Sequence, residues 1–243
     1  MNTRTIVCVI AVGLLSACKS AEDYLSDGQD LSSDGKYQAA LTCFDNSIQK
    51  NPFFKDAYIQ KGSCYDNMSQ YDSAIEVYGK LLEIYPDNTA ANYYSGVCRY
   101  KQKRFEEAID FYDKALDSKG GFNSSDTASI QAIINFHKDS FESESPEFDI
   151  PIQEIIYDRG MAYYNSGQMK NARLDFANCI IRKYNPGTSY YMIGLCRLAI
   201  NDLKFAREAF YQASEYGDTL AIRQLRSPQV KNSYGRFLNR KKV

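Results

Sequence analysis

GSCYDNMSQYDSAIEVYGKL, residues 62–81, is followed 34 residues later by GVCRYKQKRFEEAIDFYDKA, residues 96–115. Aligned on their glycines, Gly62 and Gly96, the two stretches agree in residue type at landmark after landmark. Working outward, the same register recurs at Gly28, and again at Gly160 and Gly194, which are themselves 34 apart. Nine residues beyond each glycine stands Tyr37, Tyr71, Phe105, Met169 or Leu203. Twelve beyond is always alanine: Ala40, Ala74, Ala108, Ala172 and Ala206. Sixteen beyond is always aromatic: Phe44, Tyr78, Tyr112, Phe176 and Phe210. Nineteen beyond comes Ser47, Leu81, Ala115, Cys179 or Ala213. A period of this length with small and aromatic landmarks marks stacked helix–turn–helix units. Such units present an extended binding surface rather than a catalytic pocket.

The landmarks carry physical roles. The glycine is expected on the first helix of each unit, where two helices approach too closely for a side chain. The alanine serves the same contact from the second helix, and the larger residues fill the space between neighbouring units, each too apolar on one face to stand alone. SAIEVYGKLLEIY (73–85) and EEAIDFYDKALD (106–117) show the i, i+3, i+4 apolar spacing of amphipathic helices. Pro86 and Pro186 read as helix stops, and Gly120–Gly121 follows the third unit.

The pattern resembles the tetratricopeptide repeat, with its glycine, small alanine, aromatic landmark and a proline near each repeat's end. Pro52 and Pro86 fall 24 residues after their glycines, and Pro186 falls 26 after Gly160. The resemblance spans residues 21–218 with one interruption. It implies an all-α, right-handed superhelical solenoid, with repeats one to three over 21–121 and repeats four and five over 153–218. It also implies a concave groove lined by the first helix of each unit, at offsets −3, +1 and +4 from the glycine. Matching positions are Leu25, Gln29, Ser32, Ile59, Ser63 and Asp66 in the first two units. In the last three they are Tyr93, Val97, Tyr100, Tyr157, Met161, Tyr164, Tyr191, Leu195 and Leu198. These nine are the expected peptide-binding residues, since a tyrosine ring with its hydroxyl suits interface anchoring. The alternative is that the interruption or a C-terminal helix buries some of their rings. No lysine stands at the groove offsets, which speaks against the family's carboxylate-clamp mode.

Upstream of the repeats, MNTRTIVCVIAVGLLSAC (1–18) has Arg4, an apolar run over 6–15, then small residues and a cysteine. The run is too short to span a bilayer and fits a secretory signal. Leu15-Ser16-Ala17-Cys18 resembles the bacterial lipobox, which implies a signal peptide over 1–17, diacylation (palmitate-type chains) at Cys18 and a short tether over 18–20. The alternative is an ordinary signal peptide with a cysteine at the cut. Acyl chains on one cysteine give stable anchoring, at about 0.8 kcal/mol per buried CH₂. Lys19, rather than aspartate, after the cysteine favours the outer membrane by the enteric rule. The first repeat starts about Ala21, so it is expected close to the membrane, and its first helix, rich in Ser, Asp and Gly, is expected to fray.

Composition bounds the chemistry. Removing residues 1–17 takes Arg4, leaving 28 of the 29 basic side chains against 30 acidic ones. Nothing in that balance suggests nucleic-acid binding, and the length suits one domain. Cys8 leaves with the signal, and the five cysteines left beside Cys18 are Cys43, Cys64, Cys98, Cys179 and Cys196. Cys64, Cys98 and Cys196 stand two residues after a repeat glycine, where the fourth unit has Ala162, so the slot reads as small and apolar. No C-x-x-C occurs, and equivalent slots on stacked helices lie too far apart for a disulfide, so no metal or cofactor is expected. His137 is the single histidine, which removes the base of Ser-His-Asp and Cys-His sites. No Gly-rich phosphate loop appears, and neither an enzyme nor a small-molecule substrate is expected.

Two segments depart from the period. Residues 122–152 form either a decayed repeat or an insertion, with a helix expected over 124–141 and an acidic loop over 139–154 broken by Pro146 and Pro151. Residues 219–243 hold seven basic and no acidic side chains, and Leu220, Ile222 and Leu225 suggest a helix that caps the last repeat. The whole reads as a lipid-anchored scaffold for a protein or peptide partner at a bacterial envelope. Similar lipoproteins act in outer-membrane protein assembly and pilus secretin assembly. An adaptor of periplasmic peptidoglycan-acting enzymes is the alternative, and an enzyme of unrecognised chemistry a weaker one.

Overall fold

The computed structural model describes residues 19–120 and 148–231, and all regular structure among them is helical. The helices are α1 (Ala21–Ser33), α2 (Tyr37–Lys50), α3 (Lys55–Asn67), α4 (Tyr71–Ile84), α5 (Thr89–Lys101), α6 (Phe105–Ser118), α7 (Ile152–Asn165), α8 (Met169–Ile181), α9 (Pro186–Ala199), α10 (Leu203–Glu215), α11 (Thr219–Arg226) and α12 (Pro228–Lys231). The chain forms two compact units, one ending at Ile84 and one beginning at Tyr85, where the length had suggested a single domain. Inside the first, α1 to α4 pack each on the next. Inside the second, α5 to α11 do the same, α6 lies directly against α7, and α12 packs on α10 and α11. Among the described residues no helix is long and apolar enough to cross a membrane.

Each helix pair is built by the landmarks. The aromatic sixteen residues past each glycine is at most 1 % exposed in all five units, and its ring occupies the space over the glycine. A Cβ on Gly28 would lie 2.5 Å from the Phe44 ring, and one on Gly96 would lie 2.8 Å from that of Tyr112. Rings of Tyr78, Phe176 and Phe210 stand likewise over Gly62, Gly160 and Gly194. Thus the glycine is missing a side chain to admit a ring from its own unit, and the alanine at twelve is the fully buried neighbour beside it. The small slot two residues past the glycine is closed to solvent as well, at Cys64, Cys98, Ala162 and Cys196.

The turn inside each unit repeats too. Seven residues past each glycine the backbone is left-handed, at Gly35, Ser69, Lys103, Gly167 and Asn201. The next N–H then closes a bond to the carbonyl five residues back: Lys36 to Leu31, Gln70 to Tyr65, Arg104 to Arg99, Gln168 to Tyr163 and Asp202 to Arg197. This is the 6→1 bond of a Schellman stop, which satisfies a carbonyl that the helix end leaves open. The second helix begins at once with the residue at offset nine.

Three expectations are corrected. The first helix is capped rather than frayed: Ser20 and Asp23 form a reciprocal capping box, and Ser47 Oγ donates to the Ala21 carbonyl at 2.7 Å. Pro186 does not stop a helix but opens α9, where its missing N–H costs nothing. In the cap, Ala221 and Val230 are the buried residues and Leu225 packs beside them, while Leu220 is exposed. Ala221 and Leu225 are one turn apart on the face toward α10, and Leu220 lies off that face. Cys18 and the signal, the helix expected over 124–141 with His137, the acidic loop up to residue 147 and the tail beyond residue 231 lie outside the described residues.

Candidate functional site

Helices α5, α7 and α9 carry the nine residues expected to line the groove. Val97, Tyr100, Tyr157 and Met161 from α5 and α7 line one cavity of about 320 Å³, together with Tyr112, Asp158 and Lys101. Its aromatic walls are held by their neighbours. The Tyr157 ring meets Phe176 and Tyr184 edge-on, with centroids 5.7 and 5.9 Å away. Tyr100 meets Phe105 at 5.5 Å, and its hydroxyl accepts from Asn165 Nδ2 at 2.9 Å.

Tyr93 is placed differently from the other tyrosines. It is only 5 % exposed, and its hydroxyl donates to Asp158 Oδ2 at 2.7 Å and to Glu154 Oε1 at 3.1 Å. It therefore tethers α5 to α7 and holds two carboxylates, rather than offering its ring to a ligand. Burial first, then the two carboxylates, push the Tyr93 hydroxyl far above the ordinary phenol range. Burial also raises the Asp158 carboxyl, and the nearby Glu154 charge adds to this against the pull of the Tyr93 bond.

The α9 residues and Tyr164 sit in the core's margin. Tyr191, Leu195 and Leu198 are half-buried and pack on the cluster of Ala206, Phe210, Ala213, Ala221 and Val230, so the C-terminal cap shares their apolar surface. Tyr164 and Tyr191 also border the cluster of Phe176, Met192 and Cys196. The open part of the aromatic stripe is thus the stretch between α5 and α7.

Beneath it lies an ion group that sequence reading missed. Arg159, 6 % exposed, donates through Nε and Nη2 to the two oxygens of Asp175 on α8, each at 2.8 Å. Its Nη1 donates to Asp113 on α6 at 2.6 Å, so one guanidinium binds three helices. Such a fork matches a carboxylate in two parallel bonds. Burial pushes the Asp175 carboxyl above its usual range against the pull of Arg159. The group fixes α7 on α6 although residues 119–151 separate them in sequence. Asp158 and Lys101 were missed as well, because neither stands at a groove offset of the repeat family.

A family model described as "Tetratricopeptide repeat" matches residues 60–121, which hold the second and third glycines and aromatics of the period. No curated protein matches the chain by sequence. Among solved structures, MamA from Desulfovibrio magneticus RS-1 is similar at TM-score 0.62 and 17 % identity, covering 85 % of this chain and 97 % of that one. A further MamA protein structure gives 0.61 at 17 %, covering 80 % and 90 %. YrrB, described as a TPR protein with an unusual peptide-binding site, gives 0.61 at 17 %, covering 87 % and 94 %. At such identities the likeness speaks for the fold. Together with the five repeated helix pairs and the model matched over residues 60–121, it gives this chain a fold of the tetratricopeptide-repeat type.

Proposed function

We propose that the protein is a non-catalytic interaction scaffold that holds a peptide or helix of another protein along the α5–α7–α9 side of its repeats. The observation that carries this reading is the cavity walled by Tyr100, Tyr157, Met161 and Val97, four residues that the repeat register alone nominated for ligand contact. Rigid aromatic walls of this kind lose little entropy on binding and anchor interfaces. YrrB, of the same fold, is described by its peptide-binding site, which supports a peptide as the ligand class. Leu15-Ser16-Ala17-Cys18 supports a lipid anchor at a bacterial envelope, with the outer membrane favoured by Lys19. Location then comes from the lipid and selectivity from the groove.

Two measurements test the proposal. Cys18→Ser should release the protein from the membrane fraction and remove the acyl mass from its N-terminal peptide; a membrane-bound, unacylated wild type would refute the anchor. Co-purification from detergent-solubilised membranes should recover a protein partner that a Tyr100→Ala, Tyr157→Ala, Tyr164→Ala variant loses. Peptidoglycan-acting enzymes among the partners would favour the adaptor reading over envelope assembly.

A further inference from the structure

We infer that the α5–α7 cavity takes an arginine side chain of an extended peptide, so that the groove selects for a cationic residue at one fixed position. This rests on the peptide-binding reading and gives it a chemistry. Three observations converge. First, Glu154 and Asp158 are one turn apart on α7 and share the single hydroxyl proton of Tyr93. The Tyr93 hydroxyl is neutral and lends hydrogen bonds but no positive charge, so the two carboxylates leave this corner net negative. Second, Asp158 lines the cavity, and among the described residues only its Oδ2 accepts a hydrogen bond. Its Oδ1 remains able to accept one from a ligand. Third, the walls beside Asp158 are the rings of Tyr100, Tyr112 and Tyr157, whose faces attract a cation.

The size and shape favour arginine. A cavity of about 320 Å³ is at the small end of ligand sites, which run from about 300 to 1,000 Å³, and accommodates one long side chain better than a cofactor. A guanidinium is planar, stacks on aromatic faces and is more weakly hydrated than an ammonium, so it enters a partly dry pocket at lower cost. Of the cavity residues, the single cation is Lys101, which is exposed, whereas Asp158 and Glu154 stand together at the inner end on the Tyr93 hydroxyl. The charge facing an entering side chain is therefore negative.

The test uses the chain from Lys19 onward and a positional library of nonapeptides with a fixed central residue: arginine, its uncharged isostere citrulline, lysine or glutamate. Arginine pools should be retained at least tenfold better than citrulline pools. Asp158→Asn keeps an acceptor for Tyr93, and its fold is checked by circular dichroism; it should bring retention of the arginine pools down to that of the citrulline pools. Tyr157→Leu, which keeps an apolar wall, should reduce the preference severalfold. Equal retention of arginine and citrulline pools, or a preference untouched by Asp158→Asn, overturns the inference. If pools bind without charge preference and are lost in the triple tyrosine variant, the cation site fails and the groove stands. If no pool binds at all, both fail.

Discussion

Replacing Arg159 by alanine is the most demanding perturbation of this structure. The guanidinium makes two bonds to Asp175, which is 2 % exposed, and one to Asp113. Removing it leaves the Asp175 carboxylate buried without its partner, a change that costs about 3–5 kcal/mol. Asp113 stands differently: its side chain is 42 % exposed, so water replaces what Arg159 gave and its loss costs about 1 kcal/mol or less. The structure therefore predicts an ordering. Arg159→Ala costs several kcal/mol, Asp113→Ala little, and the double change Arg159→Met with Asp175→Leu recovers most of the loss, because well-packed apolar residues can replace a buried pair. Urea unfolding followed by far-UV circular dichroism, at neutral pH on the chain from Lys19 onward, measures all three. Repeat stability is a sum of units and interfaces, so the loss should fall on the unit that begins at Tyr85. Equal and small losses for Arg159→Ala and Asp113→Ala, both near 1 kcal/mol, would refute the argument that this pair is desolvated and joins α6, α7 and α8.

Other consequences follow from single residues. Gly96→Ala places a methyl 2.8 Å from the Tyr112 ring and 3.3 Å from the Ala108 carbonyl oxygen, and should cost about 1–3 kcal/mol of unfolding free energy through overpacking. Ser69 and Lys103 hold left-handed backbone at φ 59° and 62°, so Ser69→Gly and Lys103→Gly should each stabilise, or at worst leave unchanged, by up to about 1 kcal/mol; a clear loss would mean those side chains have structural roles. The raised Asp158 carboxyl predicts a pH effect of definite sign. Because its folded value lies above the unfolded one near 3.9, its stabilising contribution is present at pH below that value and fades as pH rises through the folded value. Tyr93 on α5 and Glu154 on α7 act on it directly, and Tyr100, Lys101, Tyr112 and Tyr157 share its cavity; Asp158→Asn should flatten this part of the stability–pH curve.

The fold was legible because its largest constraint is written in residue type. A ring stands over each glycine and an alanine beside it, and both must recur for the helix pair to close. The turn at offset seven was not legible, since Gly35, Ser69, Lys103, Gly167 and Asn201 share only a dihedral angle. Nor was the ion group. The residue before each repeat glycine is Asp27, Lys61, Ser95, Arg159 or Ile193, so nothing periodic marks Arg159 as buried. Pro186 was misread because a proline after a helix and a proline opening the next look alike in sequence. In the site, register nominated Val97, Tyr100, Tyr157 and Met161, but it could not show that Tyr93 turns inward to bind carboxylates. Asp158 escaped notice because its offset holds Ser26, Gln60, Tyr94 and Met192 elsewhere, with no common property.

The central claim is that partner contact runs along the aromatic face of α5 and α7. A photoreactive phenylalanine derivative placed at Tyr100 or Tyr164 tests this most directly, compared with the same group at Ile181, 79 % exposed on α8, and at Tyr211 on α10. Irradiation of cells producing these variants should yield a protein crosslink from Tyr100 and Tyr164 and none from Ile181 or Tyr211. Crosslinks from Ile181 or Tyr211 alone would place the partner on the second helices and contradict the account.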